Sequence, residues 1–191
     1  MTTTQTPIDW TSVLVDQAAR HWTNQLRPRF EGLTDEEYLW EPTPGAWNVH
    51  RRGQGATELQ GGSGEMTIDF VLPEPVPAPM TTIAWRLAHV IVGVLGMRVH
   101  SHFGGPEVDY LSFDYAPTAD EALRQVDEAF AAWTAGVRGW DADALTEPCG
   151  PSEGPWAEHP RLELVLHINR ELIHHGAEIA LLRDLYVHRN D

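Results

Sequence analysis

Apolar residues recur at spacings of three and four in four separate segments of this chain, and that period restricts it to helices packed on helices. The first segment runs from about Trp10 to Arg29, with Val13, Leu14, Ala18, Trp22 and Leu26 on one face and Pro28 and Gly32 near its end. The second begins at Thr81 or Thr82, after a run of prolines, and continues through TTIAWRLAHVIVGVLGMRVHSHF until Gly104 and Gly105 stop it. In the third, TADEALRQVDEAFAAWTAGVRGW, Thr118 caps the helix, Glu121 completes the capping box, and Leu123, Val126, Phe130 and Trp133 form the buried stripe. The fourth extends from about Arg161 to Val187. Segments of this length, with one long connection after the first, predict an all-α fold: a four-helix bundle with a crossover, folding as one domain over residues 1–191.

The connections carry less pattern. Thr34 followed by Glu37 in LTDEEYLW is a capping-box spacing suited to a short helix. From Glu41 to Pro79 the chain is rich in Gly and Pro, and only MTIDFVLP alternates like a strand, so a long irregular insertion with at most a small β-hairpin is expected. Connections of that length often have a function of their own. Within it, WNVHRRG reads as a loop anchored by Trp47 with solvated arginines, and GQGATELQGGSGE matches no nucleotide fingerprint. Trp10, Trp22, Trp85 and Trp133 fall at helical positions and are expected in the core or at an interface.

Charge and composition exclude several classes of function. Asp and Glu outnumber Lys and Arg 28 to 13, for a formal net charge of −15, and no run of basic residues could follow a phosphate backbone, so nucleic acid is not an expected partner. Cys149 is the one cysteine, which leaves no internal disulfide and fits a reducing compartment. The opening residues lack a basic start and an apolar signal core, and no segment was expected to span a membrane, so the reading is a cytoplasmic protein. The expected partners are a small-molecule substrate and, as an option, a second copy in a homodimer.

One polar cluster breaks the apolar pattern of the fourth segment. In RELIHHGAEIALLRDLY, Glu171, His174, His175 and Glu178 lie within two turns. At about 100° per residue, Ile168, Leu172, Ile179 and Tyr186 define the core face, His175 projects about 40° from it, and Glu171 lies a further ~40° along the same flank. His174 and His167 fall further out. Glu171 and His175 therefore point inward one turn apart, close enough for both to reach one ion. Glu and His at this spacing also occur as exposed helix-supporting pairs, but an inward carboxylate needs a cation. A third ligand must come from another helix, and the second segment offers His89, on a stripe with Gly93, Gly96 and His100. His100 lies about three turns, roughly 16 Å, further along the axis, so it and His89 cannot share an ion.

PMTTIAWRLAHVIVGVLGMR, followed about eighty residues later by LHINRELIHHGAEIALLRDLY, resembles the DinB-like superfamily, which includes the YfiT-like proteins and the mycothiol-dependent maleylpyruvate isomerases. The resemblance implies a four-helix bundle with one divalent metal, zinc or nickel, held by a histidine of the second helix and a His-x-x-x-His or Glu-x-x-x-His pair of the fourth. On this chain those ligands are His89, Glu171 and His175. Many members have a histidine where Glu171 stands, which leaves the metal's identity open, and His174 remains an alternative to His175. Arg183 and Asp184 read as a helix-end pair.

Two histidines and a carboxylate leave an open coordination position, the pattern of a catalytic metal. The resemblance further implies a low-molecular-weight thiol such as mycothiol or bacillithiol as cosubstrate. The expected function is thus a metal-dependent transferase, isomerase or hydrolase. Two alternatives stand beside it: a metal-containing binding or stress-response protein without catalysis, and a di-iron bundle prompted by Glu171-x-x-His174.

Overall fold

The computed structural model describes residues 8–189. Helix α1, Trp10–His21, starts at Asp9, whose carboxylate accepts from the Ser12 amide, and continues as a π-helical turn, Trp22–Leu26, and a 3-10 turn, Arg27–Phe30. Pro28 stands in this last turn, where a missing amide costs little. The short helix α2, Asp35–Tyr38, is capped by Thr34. The second long helix is built from α3, Ile83–His89, a π-helical stretch Val90–Gly96, and α4, Met97–Phe103. Of the two threonines offered by the sequence, Thr82 is its cap, accepting from the Trp85 amide. Helix α5 is Ala119–Arg138, capped by Thr118, and α6 is Arg161–Val187.

The four long helices bury a common core. Helix α1 packs on α5 and α6, and the second long helix also packs on α5 and α6, so α1 and the second helix occupy opposite corners. Trp22 stacks on Phe130 at 4.7 Å between ring centroids, and Trp133 is 2 % exposed. Burying a side chain of Leu or Phe size stabilises by about 1.5–3 kcal/mol, and this core supplies many of them. Val90 to Leu95 are buried on every side, which is why this helix, unlike α5, shows no polar face. By length and composition Ile83–Phe103 passes as a possible membrane span, contrary to expectation, but 61 % of its apolar window is buried inside the bundle. On α6, Gly176 lets Leu26 lie against the helix backbone, where a methyl group would collide with its side chain.

Three expectations need correction. The insertion contains a three-stranded antiparallel sheet rather than a hairpin, with β1 Val49–Arg51, β2 Leu59–Gly61 and β3 Met66–Phe70 in the order β1-β3-β2. WNVHRRG is therefore not a plain loop. Trp10, expected in the core or at an interface, is 52 % exposed, which excludes only the core. Arg183 and Asp184 do not form a pair: Arg183 binds Glu37 at 2.6 Å and the carbonyls of Arg29 and Glu31, while Asp184 binds Arg29.

The insertion is anchored to the bundle where its two ends meet. Trp47 accepts from the Thr82 amide and donates to Met80 O, so the insertion leaves and rejoins the bundle side by side. Asp69 on β3 is fully buried, and its carboxylate accepts from His50 Nε2 at 2.8 Å and from the amides of Asn48, Ala56 and Thr57. A carboxylate with that many donors can be buried without a metal. The backbone carbonyl of Asp69 accepts from Trp85 Nε1 on α3 at 3.0 Å, which joins the sheet to the helix carrying His89.

Candidate metal centre

Helix α6 turns its polar cluster in two directions. His175 is 8 % exposed and faces the bundle, whereas the His174 side chain is 61 % exposed. Glu171 Oε2 lies 3.4 Å from His175 Nε2, one turn away. On the other side of the ring, His175 Nδ1 is 2.8 Å from Glu178 Oε2. Glu178 is in turn paired with Arg86 of α3 at 2.7 Å. A carboxylate bonded to Nδ1 favours the tautomer with the proton there, leaving Nε2 as a lone-pair donor on the Glu171 side.

His89 comes to the same place from α3. Its ring meets that of His175 edge to face, with centroids 4.7 Å apart. Trp85 stacks on one of its faces, with centroids 5.5 Å apart, and Tyr110 lies at its edge, nearly coplanar with it at 6.2 Å. Its Nδ1 lies 2.6 Å from the Tyr110 hydroxyl, which again leaves Nε2 as the open nitrogen. Burial first, then the positive charge of neighbouring His175, Arg86 and Arg98, push the His89 pKa down to about 4. Near neutral pH it is an uncharged imidazole, the form that binds a metal. Burial likewise raises Tyr110 to about 12, so its hydroxyl stays neutral.

A second donor cluster shares His175. Donor atoms of His174, His175 and Glu178 lie within 4.8 Å of one another, and His89 and Glu171 stand outside that group. Two observations favour the inward set. His174 faces solvent, and the Glu178 carboxylate already balances Arg86, so an ion bound there would compete with a guanidinium at 2.7 Å. The Glu171 carboxylate, 27 % exposed, has no partner as close as that: His175 is at 3.4 Å, His167 at 3.5 Å and Arg170 at 3.8 Å. Two imidazoles and a carboxylate are donor types that a divalent ion accepts. His100 is not part of it: it is exposed and bonded to Gly105 O.

Arg86, Glu178, Trp85 and Tyr110 were not singled out as site residues by sequence reasoning. Arg86 and Trp85 carry a faint signal, lying three and four residues before His89 and hence on its side of the helix. Tyr110 has none, because it reaches the site from a loop. Beyond His167 and Arg170, on the N-terminal side of Glu171, a cavity of about 670 Å³ opens between α6, Arg98 and the α5–α6 connection.

Four long helices around one core, with His89 of the second meeting His175 of the fourth and Glu171 one turn from His175, define a helical-bundle protein with a candidate metal centre. A family model of the DinB superfamily matches residues 17–179, and the chain belongs to that superfamily. No curated protein and no solved structure matches it.

Proposed function

We propose that this chain is a metal-dependent enzyme that uses a low-molecular-weight thiol to transform a small molecule, with His89, Glu171 and His175 holding one divalent ion, zinc or nickel. The observation that carries the reading is the state of the two imidazoles: each has Nδ1 engaged by a protein oxygen, and each keeps Nε2 for a ligand bond. A divalent ion with three protein ligands lowers the pKa of a thiol or water bound at its open position, which makes a nucleophile near neutral pH.

The chain's own residues do the rest. Glu178, anchored by Arg86, holds His175 in orientation. Trp85 covers one face of His89, and Tyr110 covers its Nδ1 edge. The cavity of about 670 Å³ is of the size that encloses a small substrate; none of the three proposed ligands lines it, and it approaches them only through His167 and Arg170, which border Glu171. Arg170, 67 % exposed, offers a charge to an anionic group of that substrate at the cavity rim. The di-iron alternative finds no support in this arrangement, since His174 of the Glu-x-x-His spacing points to solvent.

The test is turnover. Protein loaded with Zn²⁺ or Ni²⁺ is assayed with mycothiol and bacillithiol against a panel of electrophiles, before and after chelation. Consumption of thiol and electrophile beyond one equivalent, lost on chelation and restored by metal, is the expected result. Saturable binding without turnover across the panel would make the chain a binding protein instead.

A further inference from the structure

The insertion between α2 and α3 has so far only been described as a sheet. Its contacts converge on the two rings that adjoin His89, Trp85 on its face and Tyr110 at its Nδ1 edge. Trp85 is fixed by its Nε1 bond to Asp69 O on β3, at 3.0 Å, and by packing on Trp47 at 6.0 Å between ring centroids. Tyr110 is stacked on Phe70, the last residue of β3, at 6.3 Å. Its carbonyl accepts from the Tyr115 hydroxyl at 2.8 Å and lies so close to Gly61, the last residue of β2, that a side chain there would collide with it. Gly93 completes the arrangement: a Cβ at that position would overlap the Tyr110 hydroxyl and stand 3.2 Å from His89 Nδ1. The absence of a side chain at 93 is thus what admits the hydroxyl to the imidazole.

From this we infer that Tyr110 is a positioning residue for the metal centre, and that the sheet of the insertion acts as its brace. The proton on His89 Nδ1 is donated to the Tyr110 oxygen, so Nε2 is presented to the ion in one tautomer and one ring orientation. Without the hydroxyl, His89 loses the group that selects between its two nitrogens. The inference rests on the proposed ligation by His89, Glu171 and His175, and goes beyond it by giving the insertion a task.

The test measures Zn²⁺ affinity of the full chain by competition with a chelating indicator, together with the melting temperature of the metal-free protein. Tyr110→Phe keeps the stack on Phe70 and removes only the hydroxyl. It should weaken Zn²⁺ binding by about 10- to 100-fold, the range of lost partners to ligating histidines. The metal-free melting temperature should fall by no more than about 4 °C, as for one hydrogen bond in a chain of this size. Gly93→Ala should weaken binding as well, but should add little in the Tyr110→Phe background, because both changes remove the same contact. His89→Ala is the control. If it abolishes binding while Tyr110→Phe binds as tightly as the parent, the role of Tyr110 is refuted and the ligand set stands. If His89→Ala keeps full affinity, the ligand set fails and the inference with it.

Discussion

His89 and His175, on different helices, meet edge to face with ring centroids 4.7 Å apart, and each has its Nδ1 bonded to a protein oxygen. Two imidazoles held that close in a helical interior gain little from each other. They gain from a shared cation, and the carboxylate of Glu171, 3.4 Å from His175 Nε2, stands where its charge would complete the balance.

That relationship ranks the side chains by their effect on metal content. Alanine at His89, Glu171 or His175 should lower occupancy at limiting metal by at least about tenfold, while His174→Ala and His100→Ala should leave it near that of the parent. Elemental analysis after dialysis gives the answer. Loss of metal in His174→Ala with retention in Glu171→Ala would move the site to the exposed cluster of His174, His175 and Glu178.

The ion pair between Arg183 and Glu37 should matter more than any pair on the surface. Their side chains are 16 % and 5 % exposed, and Arg183 also donates to the carbonyls of Arg29 and Glu31. Arg183→Ala leaves a buried carboxylate and two carbonyls without their donor, and should cost about 3 kcal/mol in urea unfolding. Arg20→Ala, which breaks a pair exposed at 77 % and 51 %, should change stability by less than about 1 kcal/mol.

Acid stability should depend in part on Glu153. A hydrogen bond from His102 and the charge of Arg98 hold its carboxyl below the ordinary value of 4.5, against a smaller opposing effect of burial than that of the His102 bond. A carboxyl whose folded pKa is depressed contributes stability that is fully present above its unfolded pKa and is lost as pH falls through the folded one. The stability difference between the parent and Glu153→Gln should therefore shrink as pH is lowered from about 6 to about 3. Urea midpoints across that interval measure it, and a difference that stays constant with pH would contradict the pairing.

Cys149 should be a slow nucleophile. It is 8 % exposed, and burial, followed by the negative charge of Glu153, raises its pKa. Reaction with a maleimide at neutral pH should be at least about tenfold slower in the native protein than in denaturant. Equal rates would show that the α5–α6 connection opens freely.

The helices could be read from the sequence because their determinants are local. The spacing of Leu123, Val126, Phe130 and Trp133 reports one buried face, Thr34, Thr82 and Thr118 mark starts, and Gly104, in a left-handed conformation with φ of 68°, marks a stop. The same 100° step distinguished His175, which is buried, from His174, which is not. Period arguments failed where elements are short or irregular. Strands β1 and β2 have three residues each, too few to show alternation, and the π-helical stretch Val90–Gly96 departs from the assumed step between His89 and His100.

What the sequence determined by itself, then, is the helical bundle, its caps and breaks, and the direction in which α6 turns its polar residues, all consequences of backbone geometry within a few residues. Only the tertiary structure decided that Tyr110 reaches His89, that Arg86 reaches Glu178, that Arg183 reaches Glu37, and that Trp85 bonds to Asp69 of β3. Those contacts join residues far apart in the chain, and which distant groups meet is set by how whole helices pack against one another, not by any spacing along one of them.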